Sequence, residues 1–88
     1  MRFFLAGLNH KTAPVEVREK VAFDEASLAN ALADLRKQPG MHEGIILSTC
    51  NRVEVAVTAE DGADAEGAVK NFISASRSID RSWVTPYL

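Results

Sequence analysis

Short β-branched runs alternate with amphipathic helical stretches in the order β, short α, α, β, β, α, β. This predicts an α+β domain, a ferredoxin-like α/β sandwich with its helices on one face of a largely antiparallel sheet. Three observations carry that prediction. Ile45-Ile46-Leu47 and Val53 to Val57 flank a few small polar residues, as two neighbouring strands with a tight connection do. Leu28, Ala31, Leu32 and Leu35 recur at spacings of three and four, and Ala65, Val69, Phe72, Ile73 and Ser76 fall on a second such stripe. An apolar run from Phe3 to Leu8 supplies the first strand.

Taken in order, that first strand runs through Gly7 into a polar loop, Asn9-His10-Lys11-Thr12. Thr12 can cap the short helix predicted over 15–21. Pro14 suits its first turn, where a missing N–H costs nothing, and Glu16 suits the positive end of the helix dipole. Asn9 and His10 read as loop chemistry that holds the turn. Asp24 is a good N-cap for the second helix, which Pro39-Gly40 stops, and His42 beyond the stop reads as a solvated loop residue. Gly44 to Leu47 and Val53 to Thr58 are the next two strands, the latter with a buried valine face. Asp61-Gly62 signals a turn and Asp64 caps the third helix. Ser78 to Arg81 reads as linker. Trp83-Val84 and Tyr87-Leu88 read as a further strand, with Pro86 tolerated at a sheet edge, so the chain is expected to stop within a strand, as a truncated domain would.

Eighty-eight residues, 47% of them hydrophobic, suffice for one small domain with an adequate core, residues 1–88. Ten basic and twelve acidic residues are interspersed for a net charge of −2, so the broad basic footprint of a nucleic-acid-binding domain is missing and any RNA contact is local. One cysteine forms no internal disulfide, no run spans a membrane, and no signal peptide is evident; a cytoplasmic setting is the expectation. His10, His42 and Cys50 lack zinc-site spacing, and no bound metal is expected.

The polar step Ser48-Thr49-Cys50-Asn51-Arg52 holds the single thiol. Rigid strands on both sides place it at a sheet end, where a reactive group is usefully held. A thiol is nucleophilic only as its anion, an unperturbed one has a pKa of about 8.5, and a neighbouring cation favours ionisation. Arg52 is the nearest cation in sequence. Its guanidinium can serve the thiolate or make a forked pair of bonds with a substrate carboxylate, and the second use is the favoured one. Against catalysis stands the ordinary reading of a lone cysteine as a small hydrophobe; four polar neighbours weigh against that reading.

Two stretches together, Gly7-Leu8-Asn9-His10-Lys11-Thr12-Ala13-Pro14 with Val17-Arg18-Glu19, and Leu47 to Glu54, resemble the N-terminal catalytic domain of the glutamyl-tRNA reductases. The resemblance covers nearly the whole chain. It implies an enzyme of tetrapyrrole (porphyrin, haem) biosynthesis by the five-carbon route, which reduces glutamyl-tRNA(Glu) to glutamate-1-semialdehyde with NADPH. Cys50 is then the nucleophile that takes the glutamyl group as a thioester, Arg52 grips the glutamate side-chain carboxylate, and Thr49 and Asn51 line the site and hydrogen-bond the substrate. A thioester carbonyl is more electrophilic than an ester, which suits a later hydride transfer.

No Gly-x-Gly-x-x-Gly fingerprint is present, so no cofactor is expected on these residues, and NADPH-binding and homodimerising domains are expected outside them. By itself the chain is expected to form or hydrolyse the thioester and to complete no reduction. Two other readings stand beside this one. A non-catalytic ferredoxin-like binding or regulatory module would leave Cys50 inert, and a redox sensor would oxidise it reversibly, although no resolving cysteine is present.

Overall fold

The computed structural model describes all 88 residues. Strand β1 (Arg2–Asn9) is followed by helices α1 (Val15–Val21) and α2 (Glu25–Arg36), strands β2 (Met41–Ser48) and β3 (Arg52–Ala59), and helices α3 (Ala65–Arg77) and α4 (Arg81–Val84). A 3₁₀ turn, Thr85–Tyr87, ends the chain. The three strands lie in the order β1-β3-β2 and both pairings are antiparallel, which is the ferredoxin-like α+β arrangement expected from the sequence.

Alternation decides which face is buried. Val53, Val55, Val57 and Ala59 of β3 turn inward beside Ala6 and Leu8 of β1, and meet Val17 and Val21 of α1, Leu35 of α2 and Val69, Phe72 and Ile73 of α3. Phe23, between α1 and α2, stacks on Phe72 with ring centroids 5.9 Å apart. The opposite face carries Phe3, Leu5, Ile45 and Leu47, all exposed. Helices therefore cover one side of the sheet only.

Local chemistry sets the helix ends. Asp24 accepts from the Ser27 amide and Asp64 from the Gly67 amide, the two caps the sequence predicts. Gly40 takes φ +78°, and a Cβ there would stand 2.6 Å from the Cβ of Ala63; only glycine turns the chain from α2 into β2 at this point.

Three regions of the fold depart from expectation. Thr12 does not cap α1, whose N-cap is Pro14 without a side-chain bond; its hydroxyl is engaged in the turn after β1 instead. His42 is not in a loop: β2 starts at Met41, a bulge between Met41 and Glu43 absorbs the extra residue, and His42 Nε2 stands 3.3 Å from Glu60 Oε1. Trp83 to Leu88 is not a strand, and Arg81, expected in the linker, opens α4. Asp80 accepts from the Ser82 amide and hydroxyl and nucleates α4, fully buried Val84 packs into the core, and Lys20 Nζ lies 5.3 Å from the centre of the Trp83 ring. The chain consequently does not end within a strand.

Candidate functional site

The antiparallel register places Asn9, the last residue of β1, opposite Arg52, the first of β3, while Ser48 closes β2 opposite Val53. The turn after β1 and the connection from β2 to β3 therefore emerge at the same end of the sheet.

That connection is Thr49-Cys50-Asn51, and a threonine shapes it. The Thr49 amide donates to the Arg52 carbonyl at 2.8 Å. The amides of Asn51 and Arg52 both donate to Thr49 Oγ1, each at 3.2 Å. Tight hairpins ordinarily use mirror-image turns whose central residues need positive φ, and neither Cys50 nor Asn51 takes one. A side-chain oxygen that accepts two amides closes the connection instead. Cys50 stands exposed on it. With the acceptor capacity of Thr49 engaged in this way, its hydroxyl proton is what remains to offer a ligand.

Two further side chains anchor this end. The Phe23 amide, in the joint between α1 and α2, donates to Ser48 Oγ at 2.9 Å, which ties the end of β2 to the helical layer. Arg52 Nη1 donates to Glu54 Oε1 at 3.0 Å, a pairing of residues two apart on the same strand face. Arg52 is thus held by a carboxylate of its own chain and keeps its other guanidinium nitrogens free; five donors in a fixed fork leave room for a second carboxylate. Sequence reasoning passed over Ser48 and Glu54. The i, i+2 spacing in a strand was the available signal for Glu54, whereas the Ser48 bond spans 25 residues and had none.

Arg52 and Glu54 line a groove of about 490 Å³ along β1, with Leu5, Gly7, Asn9 and, from the helical side, Lys70 among the other walls. Cys50 does not line it. The guanidinium therefore belongs to the groove, and the thiol stands beyond it on the turn. No three His, Cys, Asp or Glu side chains converge as a metal site would require, and no helix is long and apolar enough to cross a membrane.

Beside this end, the turn after β1 is held by Asn9 and Thr12, as expected for Asn9 and not for His10. Asn9 Oδ1 accepts from the amides of Lys11 at 2.8 Å and Thr12 at 3.2 Å, and the Asn9 amide donates to Thr12 Oγ1 at 3.0 Å. Arg18 Nη1, reaching from α1, donates to the Ala13 carbonyl at 3.0 Å, while its Nε is buried without a partner. The side chains of His10 and Lys11 take no part in this network and are exposed.

The fold and this sheet end define a small α+β domain that displays one exposed thiol on the turn that leads into Arg52. Its relatives are specific. The family model described as the N-terminal domain of glutamyl-tRNA(Glu) reductase matches residues 6–88. A protein named glutamyl-tRNA reductase from Solibacter usitatus is 48% identical over 88 residues, the whole of this chain and 21% of that protein. One named glutamyl-tRNA reductase 2 from Koribacter versatilis is 52% identical over 89 aligned residues, the whole of this chain and 20% of that protein. A third, from Magnetococcus marinus, is 42% identical over the whole chain. The chain belongs to the glutamyl-tRNA reductase N-terminal domain family. It spans about a fifth of the length of these curated relatives.

Proposed function

We infer that this domain takes the glutamyl group from glutamyl-tRNA(Glu) onto Cys50, the acyl-transfer half of a glutamyl-tRNA reductase. The observation that carries the reading is the exposed thiol on a threonine-closed turn, two residues from Arg52. The thiolate Sγ attacks the ester carbonyl carbon and the S–C bond forms. The C–O bond to the ribose breaks, and the ribose oxygen leaves and takes a proton from solvent. Nothing is oxidised or reduced in this step. Arg52 clamps the side-chain carboxylate of the glutamyl group through the nitrogens that Glu54 leaves free. Thr49 and Asn51 line the site, Thr49 with its hydroxyl proton.

In the whole protein we assign the subsequent reduction to NADPH, with glutamate-1-semialdehyde for tetrapyrrole synthesis as product, in the cytoplasm and in a homodimer. The residues described above do not fit a dinucleotide: the sheet is antiparallel, and β1 leads into an Asn9-Thr12 turn where a dinucleotide fold would need a glycine-rich turn opening a helix.

The test is single-turnover release of tRNA from glutamyl-tRNA by the full-length protein. Cys50→Ala should abolish the burst, and Cys50→Ser should slow it by at least about a hundredfold, because a hydroxyl is a far weaker nucleophile than a thiolate. An undiminished burst in Cys50→Ala would end this reading.

A further inference from the structure

Once an acyl carbon sits at Cys50 Sγ, covalent geometry dictates where the rest of an aminoacyl-RNA must be. The ester oxygen belongs to the terminal ribose, and that ribose carries its own 5′ phosphate only a few bonds away. The phosphates of the last nucleotides therefore come to the end of the sheet that displays Cys50, whichever way the strand leads off.

Charge at that end is unevenly committed. Arg52 is paired with Glu54. Lys11, on the neighbouring turn, joins none of the chain's ion pairs, which lie at Met1–Asp61, His42–Glu60, Arg52–Glu54 and Lys70–Glu66. Counting along the chain, Cys50 to Arg52, across the pair to Asn9 and on to Lys11 bounds the Cα separation at about 20 Å, and turn closure makes it shorter. A lysine side chain and a dinucleotide each span a good part of that distance. The turn is also built in advance: Asn9 Oδ1 fixes the Lys11 amide at 2.8 Å, and Arg18 braces the Ala13 carbonyl, so the backbone is held while the ammonium stays free. An ordered backbone lowers the entropic cost of a contact made by the side chain it carries.

We propose that the His10–Lys11 turn is the phosphate contact for the acceptor end of the RNA whose aminoacyl ester meets Cys50, with Lys11 supplying the charge. The proposal rests on the acyl-transfer reading above and extends it to the surface on which the RNA lies. With a net charge of −2 the chain has no overall positive charge to draw in RNA, so a contact that it makes is expected to be local.

The experiment compares two acyl donors on the full-length protein: glutamyl-tRNA(Glu), and an aryl ester of glutamate that carries no phosphate. The readout is the ratio of their second-order rate constants for acylating Cys50. Lys11→Gln should lower that ratio about fivefold at low salt, Lys11→Glu should lower it further, and Lys11→Arg should restore it. The salt dependence with tRNA should lose about 0.7 from its log–log slope, the share of one single-strand phosphate. An unchanged ratio and slope in both Lys11→Gln and Lys11→Glu would overturn the proposal, whether absolute rates held or fell equally for both donors. Failure of the underlying reading looks different: wild-type protein would be acylated by neither donor, and the proposal would fall with it.

Discussion

Ser48→Ala tests how the candidate site is held to its scaffold. Ser48 Oγ accepts the Phe23 amide at 2.9 Å in a half-buried position, and that amide has no other acceptor in the chain. Loss of the hydroxyl leaves a backbone donor unpaired, at a cost of about 1–2 kcal/mol, whereas the alanine side chain itself fits the strand. For a domain of this size each kcal/mol lowers Tm by about 4–8 °C, so Ser48→Ala should melt roughly 5–15 °C below wild type in calorimetry. Ser48→Thr keeps the hydroxyl, adds a branch that suits a strand, and should stay within about 0.5 kcal/mol of wild type. Amide exchange at Thr49 and Arg52, which close the Cys50 turn, should quicken in Ser48→Ala alone. A Ser48→Ala protein as stable as wild type, or a Ser48→Thr protein as weak as Ser48→Ala, would refute the claim that this bond anchors the turn.

Other consequences are as direct. If Arg52 clamps the glutamyl carboxylate, glutaminyl-tRNA forfeits that charged pair while the exposed guanidinium keeps Glu54, a loss of about 1 kcal/mol; acylation of Cys50 should be about fivefold slower than with glutamyl-tRNA, and equal rates would remove Arg52 from that role. Gly40→Ala forces a side chain into φ +78° against Ala63 and should destabilise the domain by more than about 1 kcal/mol in urea titration, while an unchanged midpoint would contradict the close approach described. Hydrogen bonds from the Ser27 amide and then its hydroxyl hold the Asp24 carboxyl below its ordinary 3.8, and the Ser82 hydroxyl and then its amide do the same for Asp80. Both groups are depressed on folding, so their support for α2 and α4 is present above about pH 4 and is lost as pH falls through the lower folded values. Carboxyl titration by NMR should find both below 3.8, and ordinary values would count against the caps.

Local signals carried most of the fold. Asp24 and Asp64 each precede an apolar stripe, and the helices begin where these caps put them. The alternating valines of β3 named their own buried face. Where the sequence misled, composition competed with a short-range bond: Trp83, Val84 and Tyr87 favour strands, but Asp80 with Ser82 starts a helical turn, and the Asp-x-Ser spacing was the clue. At the candidate site the thiol and its polar company were evident, and so was the sheet end. The service of Thr49 Oγ1 to two amides, the hold of Glu54 on Arg52 and the Ser48–Phe23 bond were not. Such side-chain contacts depend on how the chain has already folded, and residue type alone does not announce them.

The most direct measurement is the intact mass of the full-length protein, acid-quenched after seconds with glutamyl-tRNA(Glu) and without reductant. The protein should gain one glutamyl group, labile to hydroxylamine and mapped by peptide sequencing to the segment that contains Cys50. An unmodified mass while deacylated tRNA accumulates, or a glutamyl group on any other residue, would contradict it.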